Sequence, residues 1–333
     1  MEENRPAVSV IGAGGWGTTL ANLLAMKGIP VKIWAYEEET VRNINYKNEN
    51  PQFLPNIQLS PRIFAYTELE KVIPKADILI FAIPSTFVRM MAEKISPLFI
   101  PSREYRLISV SKGLEYETFK LMSEILREIL PKNVKIAALS GPNLSREVAL
   151  GQPTATVIAS IHEEILPDLV NLFHTSTFKP YALTDERGIE ICGAVKNITA
   201  IAVGICDGLG LGDNSKASII TLGLTEMNRI GQHFGCDRKT FFGVAGVGDL
   251  IATCSSKLSR NRTYGQKLAE GKTFAEIKEE MHGMVAEGVW AAKSVHLFAQ
   301  QHNIELPLTT QIYKILHENK PMKEAISDLL NLI

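Results

Sequence analysis

The sequence predicts an α/β fold, with a parallel β-sheet domain at the N-terminus followed by an all-helical domain. Three observations predict it. Short apolar, β-branched runs alternate with amphipathic, helix-length stretches through the first half. A glycine-rich turn, Gly12-Ala13-Gly14-Gly15-Trp16-Gly17, follows the first of those runs. From about Gly188 onward the strand signals fade and helical spacing takes over. A chain of 333 residues fits two domains better than one or three. The boundary falls at the change of pattern, giving domains over 1–188 and 189–333.

The elements follow in order. Ala7–Ile11 reads as a strand, and Trp16–Lys27 as a helix with Leu20, Leu23 and Leu24 turned to a sheet. Gly28-Ile29-Pro30 breaks that helix before a second strand, Val31–Ala35. Further strands are expected over Arg62–Ala65, Ile78–Ile83, Leu107–Val110 and Lys135–Leu139, with helical stretches such as Lys120–Ile129 between several of them. Near-continuous apolar strands joined by helical crossovers indicate a parallel sheet covered on both faces. Thr154–Ala159 and Phe178–Ala182 add strands at the end of the domain. In the second half, Ile191, Val195, Ile198, Ala202 and Ile205 are spaced by four and three, which places them on one helix face. Helices are also expected over Lys216–Phe234, Arg262–Ala269, Thr273–Met281, Val289–Gln300 and Thr309–His317.

Composition narrows the classes of function. With 45% hydrophobic and 21% charged residues, the chain can build a large core and is not broadly disordered. Its net charge of −1 leaves no basic footprint for a nucleic acid, although a local basic pocket for a small anion remains open. The 4 cysteines form no C-x-x-C pair and suggest buried, reduced thiols. The charged start, Met-Glu-Glu-Asn-Arg-Pro, lacks a signal-peptide pattern. Lys196, Asn197 and Asp207 interrupt the longest apolar stretch, Ile191–Leu211, which disfavours a membrane span. The expectation is a cytoplasmic protein without membrane insertion, and a homodimer is possible. His162-Glu163 begins like a zinc motif, but Leu166 stands where the second histidine is required, and no metal site is expected. Gly271-Lys272-Thr273 ends like a P-loop, but Gln266 replaces its first glycine.

The glycine turn matches G-x-G-x-x-G through Gly12, Gly14 and Gly17. Its setting after a strand, before a helix and within thirty residues of a second strand raises its weight. The first glycine permits the tight turn, the second lets backbone approach a pyrophosphate, and the third lets helix and sheet pack closely. The helix N-terminus then offers free N–H groups to the anion. The first domain is therefore expected to bind a dinucleotide, with Gly15 and Trp16 inside the loop. Trp16 either packs on the core or flanks the cofactor. Tyr36 and Glu37 follow the second strand, and an acid there can hold the adenosine ribose hydroxyls. Equally, Glu37 can belong to the solvated first turn of the next helix. The lean is toward NAD, with NADP also admitted.

Lys196 is the sharpest candidate for chemistry, because it is the only cation between Arg187 and Lys216, in an apolar helical stretch. Desolvation there lowers a lysine pKa toward a range useful for proton transfer. The alternative is a lysine that snorkels to water. The Ser109-Val110-Ser111-Lys112-Gly113 and Ser140-Gly141-Pro142-Asn143-Leu144-Ser145 loops both follow strands, where ligands of open α/β sheets sit. They are also ordinary turn sequences. Gly248-Asp249-Leu250 and Ser259-Arg260-Asn261 form a further cluster, in which Arg260 suits a phosphate clamp or a solvated surface position.

Taken in order along nearly the whole chain, these motifs resemble the NAD(P)-dependent glycerol-3-phosphate dehydrogenases. The resemblance is carried by the Gly12–Thr18 loop, Ser111-Lys112-Gly113-Leu114, Gly141-Pro142-Asn143 and Glu147-Val148-Ala149. It continues through Lys196-Asn197-Ile198-Thr199-Ala200-Ile201-Ala202, Asp207-Gly208-Leu209-Gly210, Asn214-Ser215-Lys216-Ala217, Gly248-Asp249-Leu250, Ser259-Arg260-Asn261 and Val285-Ala286-Glu287-Gly288. It implies a Rossmann-type N-terminal domain and a helical C-terminal domain for substrate and catalysis. It also implies interconversion of sn-glycerol 3-phosphate and dihydroxyacetone phosphate, a small phosphate ester chemistry that feeds phospholipid synthesis. Under the resemblance Lys196 is the proton acceptor. Lys112, Gly141, Asn143, Asp249, Ser259, Arg260 and Asn261 join it as substrate-contacting residues. Gly15, Trp16, Tyr36, Ser145, Val285 and Glu287 fall at cofactor-side positions, with Lys112 and Arg260 near both ligands. Many bacterial members carry a basic residue near Tyr36, whereas this chain has Tyr36-Glu37-Glu38-Glu39. Asn143 stands where bacterial members often have a smaller hydroxyl residue. Two other classes remain in view: a different β-hydroxyacid dehydrogenase, and an NAD(H)-binding module without turnover.

Overall fold

The computed structural model describes residues 6–281 and 286–331. The chain divides into two compact units. The first comprises Met1–Ser111, Met122–Leu139 and Asn143–Glu186, and the second Lys112–Leu121, Ser140–Pro142 and Arg187–Ile333. Two short segments of the first half, carrying Lys112 and Gly141, thus belong to the second unit.

The first unit is built on one sheet of eight strands: β1 (Val8–Ile11), β2 (Val31–Trp34), β3 (Ile63–Tyr66), β4 (Ile78–Phe81), β5 (Tyr105–Ser109), β6 (Val134–Ser140), β7 (Thr154–Ala159) and β8 (Phe178–Leu183). Their order is β3-β2-β1-β4-β5-β6-β7-β8, and the pairings from β3 through β6 and of β7 with β8 are parallel. All eight strands occur where the apolar runs place them, within one or two residues; β1 and β4 are buried on both faces, whereas β3 and β8 expose part of theirs. Side chains alternate across the pleat, so β4 splits its residues between two cores. Ile78 and Ile80 join a cluster with the Gly15–Met26 and Leu166–Phe173 helices. Leu79 and Phe81 face the opposite cluster, filled by the Val88–Ile95 and Met122–Ile129 helices. The order reverses direction between β1 and β4, the position where a doubly wound sheet opens a crevice beyond its strand ends.

The second unit is helical, around a cluster that includes Ile198, Ile201, Ile205, Met227, Phe241, Leu250, Val295 and Ile312. Its longest helix, Glu186–Gly208, is long and apolar enough to cross a membrane, but its apolar window is buried inside the protein. It is the central core helix of this unit. Arg262 pairs with Asp207 near its end through Nε at 2.7 Å and Nη2 at 2.6 Å, which ties the Arg260–Ala269 helix to it. Glu226, on the Asp213–His233 helix, accepts from the Leu308 and Thr309 N–H groups at the start of the Pro307–Glu318 helix. Burial raises its carboxyl pKa to about 7, against the pull of those bonds.

The four cysteines form no disulfide. Cys192, Cys206 and Cys254 are buried, as expected of reduced core thiols, whereas Cys236 is half-buried. Burial pushes the Cys206 thiol up to about 11 and the Cys254 thiol up to about 12, so both stay protonated and inert.

Candidate active site

The glycine loop of the first unit is shaped by backbone contact. Gly12 has a φ of 110°, and a Cβ on it would lie 2.4 Å from the Ala82 carbonyl oxygen. A Cβ on Gly17 would lie 2.0 Å from the Gly12 oxygen, so the helix starts directly against the turn. Only glycine satisfies both positions. Gly14 is the N-cap of the Gly15–Met26 helix and supplies no side-chain cap. A Cβ on Gly14 would meet nothing within 4 Å. A helix start with no side-chain cap, beside a glycine with open space at its Cβ position, fits an anionic ligand such as a pyrophosphate. Ser145 sits beside this turn, where its carbonyl accepts from the Thr19 hydroxyl at 3.2 Å. Trp16 packs against the sheet core, its ring 6.4 Å from that of Phe178, and its buried Nε1 has no hydrogen-bond partner.

Asn50 was not singled out from sequence. It is buried, and its Nδ2 donates to the Ala13 carbonyl at 2.8 Å and to Thr18 Oγ1 at 2.9 Å, locking the loop. Nothing in its local sequence marks it, because the contact spans more than thirty residues. Tyr36 is 80% exposed, and Glu37 is an exposed N-cap whose carboxylate makes no capping bond. Asn143 donates from Nδ2 to Thr156 Oγ1 at 3.1 Å, and its buried Oδ1 has no partner.

In the second unit the geometry is one of charged side chains. Lys196 lies in the middle of the Glu186–Gly208 helix and is 7% exposed, which rules out the snorkelling alternative. Its Nζ donates to Asp249 Oδ1 at 2.5 Å and to Thr253 Oγ1 at 2.9 Å. Lys112 reaches the other carboxylate oxygen, Oδ2, at 2.8 Å, and also donates to the Gly141 carbonyl at 3.2 Å. Asp249 is therefore shared by two lysines while itself 1% exposed. Burial lowers the Lys196 pKa to about 8, the Asp249 charge opposing and the Lys112 charge assisting. Thr253 escaped notice in the sequence, although its position four residues after Asp249 on the Asp249–Ser255 helix is the available signal. Its hydroxyl lies 2.7 Å from the Asp249 carbonyl and 3.3 Å from Oδ1.

The other expected residues of this unit cluster at two helix starts. Ser259 caps the Arg260–Ala269 helix, its Oγ accepting from the Arg262 N–H at 3.3 Å. Arg260 opens that helix and is exposed, with no ion pair among the described residues. Asn261 is buried and bonded to Asn197 and to the Gly288 N–H. Glu287 begins the Glu287–His302 helix. Val285 lies outside the described residues. Among the described residues, no His, Cys, Asp or Glu side chains are grouped so as to hold a metal ion.

Residues 7–166 match the family described as NAD-dependent glycerol-3-phosphate dehydrogenase N-terminus, and residues 185–327 match its C-terminus. A relative from Geobacter sulfurreducens, named glycerol-3-phosphate dehydrogenase (NAD(P)+), is 44% identical over 325 residues, covering 97% of this chain and 96% of its own. One of the same name from Corynebacterium aurimucosum is 44% identical over 324 residues, covering 97% of each chain. The crystal structure of a glycerol-3-phosphate dehydrogenase from Coxiella burnetii superposes with a TM-score of 0.94 at 38% identity, covering 98% of this chain and 99% of that one.

Proposed function

The chain belongs to the NAD-dependent glycerol-3-phosphate dehydrogenase family, and on that premise we propose that it interconverts sn-glycerol 3-phosphate and dihydroxyacetone phosphate with Lys196 as the proton carrier. The observation that carries this assignment is the Lys196 amine, buried between Asp249 and Thr253 with its pKa lowered to about 8.

When bound, the nicotinamide cofactor supplies or accepts the hydride. The residues of this chain handle the proton and the charge. In reduction, the Lys196 ammonium donates a proton to the oxygen on substrate C2 as negative charge develops there. In oxidation, neutral Lys196 takes the hydroxyl proton. A pKa near 8 leaves both forms accessible near neutral pH, which is what reversible general acid–base work requires. Asp249 orients the amine and balances its charge, and Lys112 adds a second cation next to the carboxylate. Arg260, exposed and unpaired among the described residues at a helix N-terminus, clamps the phosphate together with Ser259 and Asn261. Holding this remote group orients C2 for reaction. Lys112, Gly141 and Asn143 complete the substrate contacts.

The glycine loop, with Gly12, Gly14, Gly15, Trp16 and Gly17, carries the cofactor, joined by Tyr36, Ser145, Val285, Glu287 and the shared Lys112 and Arg260. The exposed Glu37 carboxylate is suited to accept from ribose hydroxyls and to repel a 2′-phosphate, which favours NAD over NADP. Most of these cofactor residues fall within the domain spanning 1–188, and most of the substrate residues, Lys196 among them, within 189–333. The product supplies phospholipid synthesis in the cytoplasm.

Lys196→Ala tests the assignment. Steady-state reduction of dihydroxyacetone phosphate is expected to fall by roughly 10²–10⁴ in kcat, the range for a lost general acid. Turnover close to that of the unaltered chain would remove Lys196 from the mechanism.

A further inference from the structure

We propose that Asn261 is a positioning residue that fixes the Asn197 amide with its NH2 group turned outward as a hydrogen-bond donor, using the first turn of the Glu287–His302 helix as its reference. The proposal rests on the function proposed above. It follows from one group whose role is unambiguous. The backbone N–H of Gly288 can only donate, and it lies 2.9 Å from Asn261. The atom facing it must be Oδ1. That places Nδ2 at the other end of the amide, 2.9 Å from the Asn197 side chain. An N–H requires an acceptor, so Asn197 presents Oδ1 to Asn261. The Asn197 NH2 is then directed away from Asn261. An asparagine amide is normally ambiguous between its two orientations. Here a single backbone donor settles two of them in series.

Packing holds the chain of bonds in place. A Cβ on Gly288 would lie 2.6 Å from the Asn197 backbone oxygen and 2.8 Å from Ile201 Cδ1, so this helix starts directly on the helix that carries Lys196. Asn197 and Asn261 are 4% and 8% exposed, which limits the access of water to either bond. Two hydrogen-bonding atoms of Asn261 are thereby committed within the protein, and one N–H remains for a ligand. The consequence is chemical. Lys196 and Lys112 bring cations, whereas Asn197, next to Lys196 in the chain, contributes a neutral donor of fixed direction for the oxygen that gains charge.

The experiment uses two near-isosteric variants of the full chain. Asn261→Asp still accepts from Gly288 but cannot donate to Asn197, so the Asn197 amide reverses and presents its oxygen outward. The kcat for dihydroxyacetone phosphate reduction is expected to fall about tenfold or more, with the KM for the cofactor changed less than about twofold. Asn197→Asp keeps the acceptor that Asn261 requires and replaces the outward NH2 donor with a charged acceptor oxygen. It is expected to lose at least as much in kcat, while Asn197→Ala, which adds no charge, shows the same loss as Asn261→Asp. In an Asn197→Ala background, which has no amide to orient, adding Asn261→Asp should cost less than about twofold more in kcat at saturating dihydroxyacetone phosphate. Full activity in Asn197→Asp overturns the proposal even if Asn261→Asp fails to fold. Losses that multiply in the double variant overturn it too. An unaltered chain that does not turn over dihydroxyacetone phosphate would instead fail the proposed function, so the two failures are distinct.

Discussion

The glycine loop and the Lys196 cluster are built by opposite means. In the loop, Gly12, Gly14 and Gly17 contribute by having no side chains, and the groups on offer are backbone N–H donors at a helix start. In the cluster, Lys112, Lys196, Asp249 and Thr253 contribute side chains alone, and the backbone serves to hold them out of water. The difference decides how each responds to change. Backbone geometry fails through steric clash, which pH does not relieve. A buried charge cluster fails through imbalance, and its behaviour is set by protonation.

The sharpest way to break the contrast is at Asp249. Asp249→Asn keeps the shape but leaves two lysines without their shared anion. The loss of a buried partner is expected to cost about 3 kcal/mol in stability, and kcat should fall by roughly 10²-fold or more. Denaturant midpoints and initial rates check it, and an unaffected variant would mean that the Asp249 charge holds neither lysine in place.

Next in size is Gly17→Ala. Its Cβ would sit 2.0 Å from the Gly12 oxygen, so either the turn or the helix must move. Cofactor affinity should drop by about tenfold or more, a cost in the range of local backbone strain. NADH fluorescence titration reads it directly, and this loss should be the same at pH 6 and pH 9.

The cluster should respond to pH where the loop does not. With the Lys196 pKa lowered to about 8, oxidation of glycerol 3-phosphate needs the neutral amine. Its kcat/KM should rise by about tenfold per pH unit below that value and level off above it. Reduction needs the ammonium, so its rate should be level below about 8 and fall above it. Profiles with no break near this pH, or with the directions exchanged, would detach Lys196 from proton transfer.

The smallest expected effect is at the exposed Glu37. Glu37→Gln should shift the NADPH-to-NADH preference toward NADPH by only a few-fold, about 1 kcal/mol, because a solvent-exposed charge is strongly screened. An unchanged ratio at low salt would return Glu37 to the role of a first-turn acid.

The same contrast explains what was legible before any coordinates. Short-range patterns carried far. The eight strands announce themselves as buried apolar runs, and the loop is a contiguous string whose glycine spacing has a steric cause. Lys196 was visible as a lone cation in an apolar helical stretch. Its alternative, a snorkelling lysine, could not be dismissed from spacing, because exposure depends on what packs against the helix. Asp249 and Arg260 gained their assignment from resemblance, since fifty or more residues separate them from Lys196. Thr253 and Asn50 carry little local signal for the same reason: Thr253 meets Lys196, and Asn50 meets Ala13 and Thr18, each more than thirty residues away. Spacing left Trp16 open between core and cofactor, and its packing on the sheet core near Phe178 supports the first role.

By itself the sequence determined the eight strands and the longer helices, the glycine turn and the placing of a lysine in an apolar helix. These depend on neighbours within a turn or two of the chain, where periodicity and side-chain sterics act. Only the tertiary structure decided that Lys112 and Lys196 share Asp249, that Thr253 completes the amine's hydrogen bonds, and that Gly288 sets the direction of two asparagine amides. Those outcomes depend on burial and on donor–acceptor geometry between distant segments, which folding alone creates.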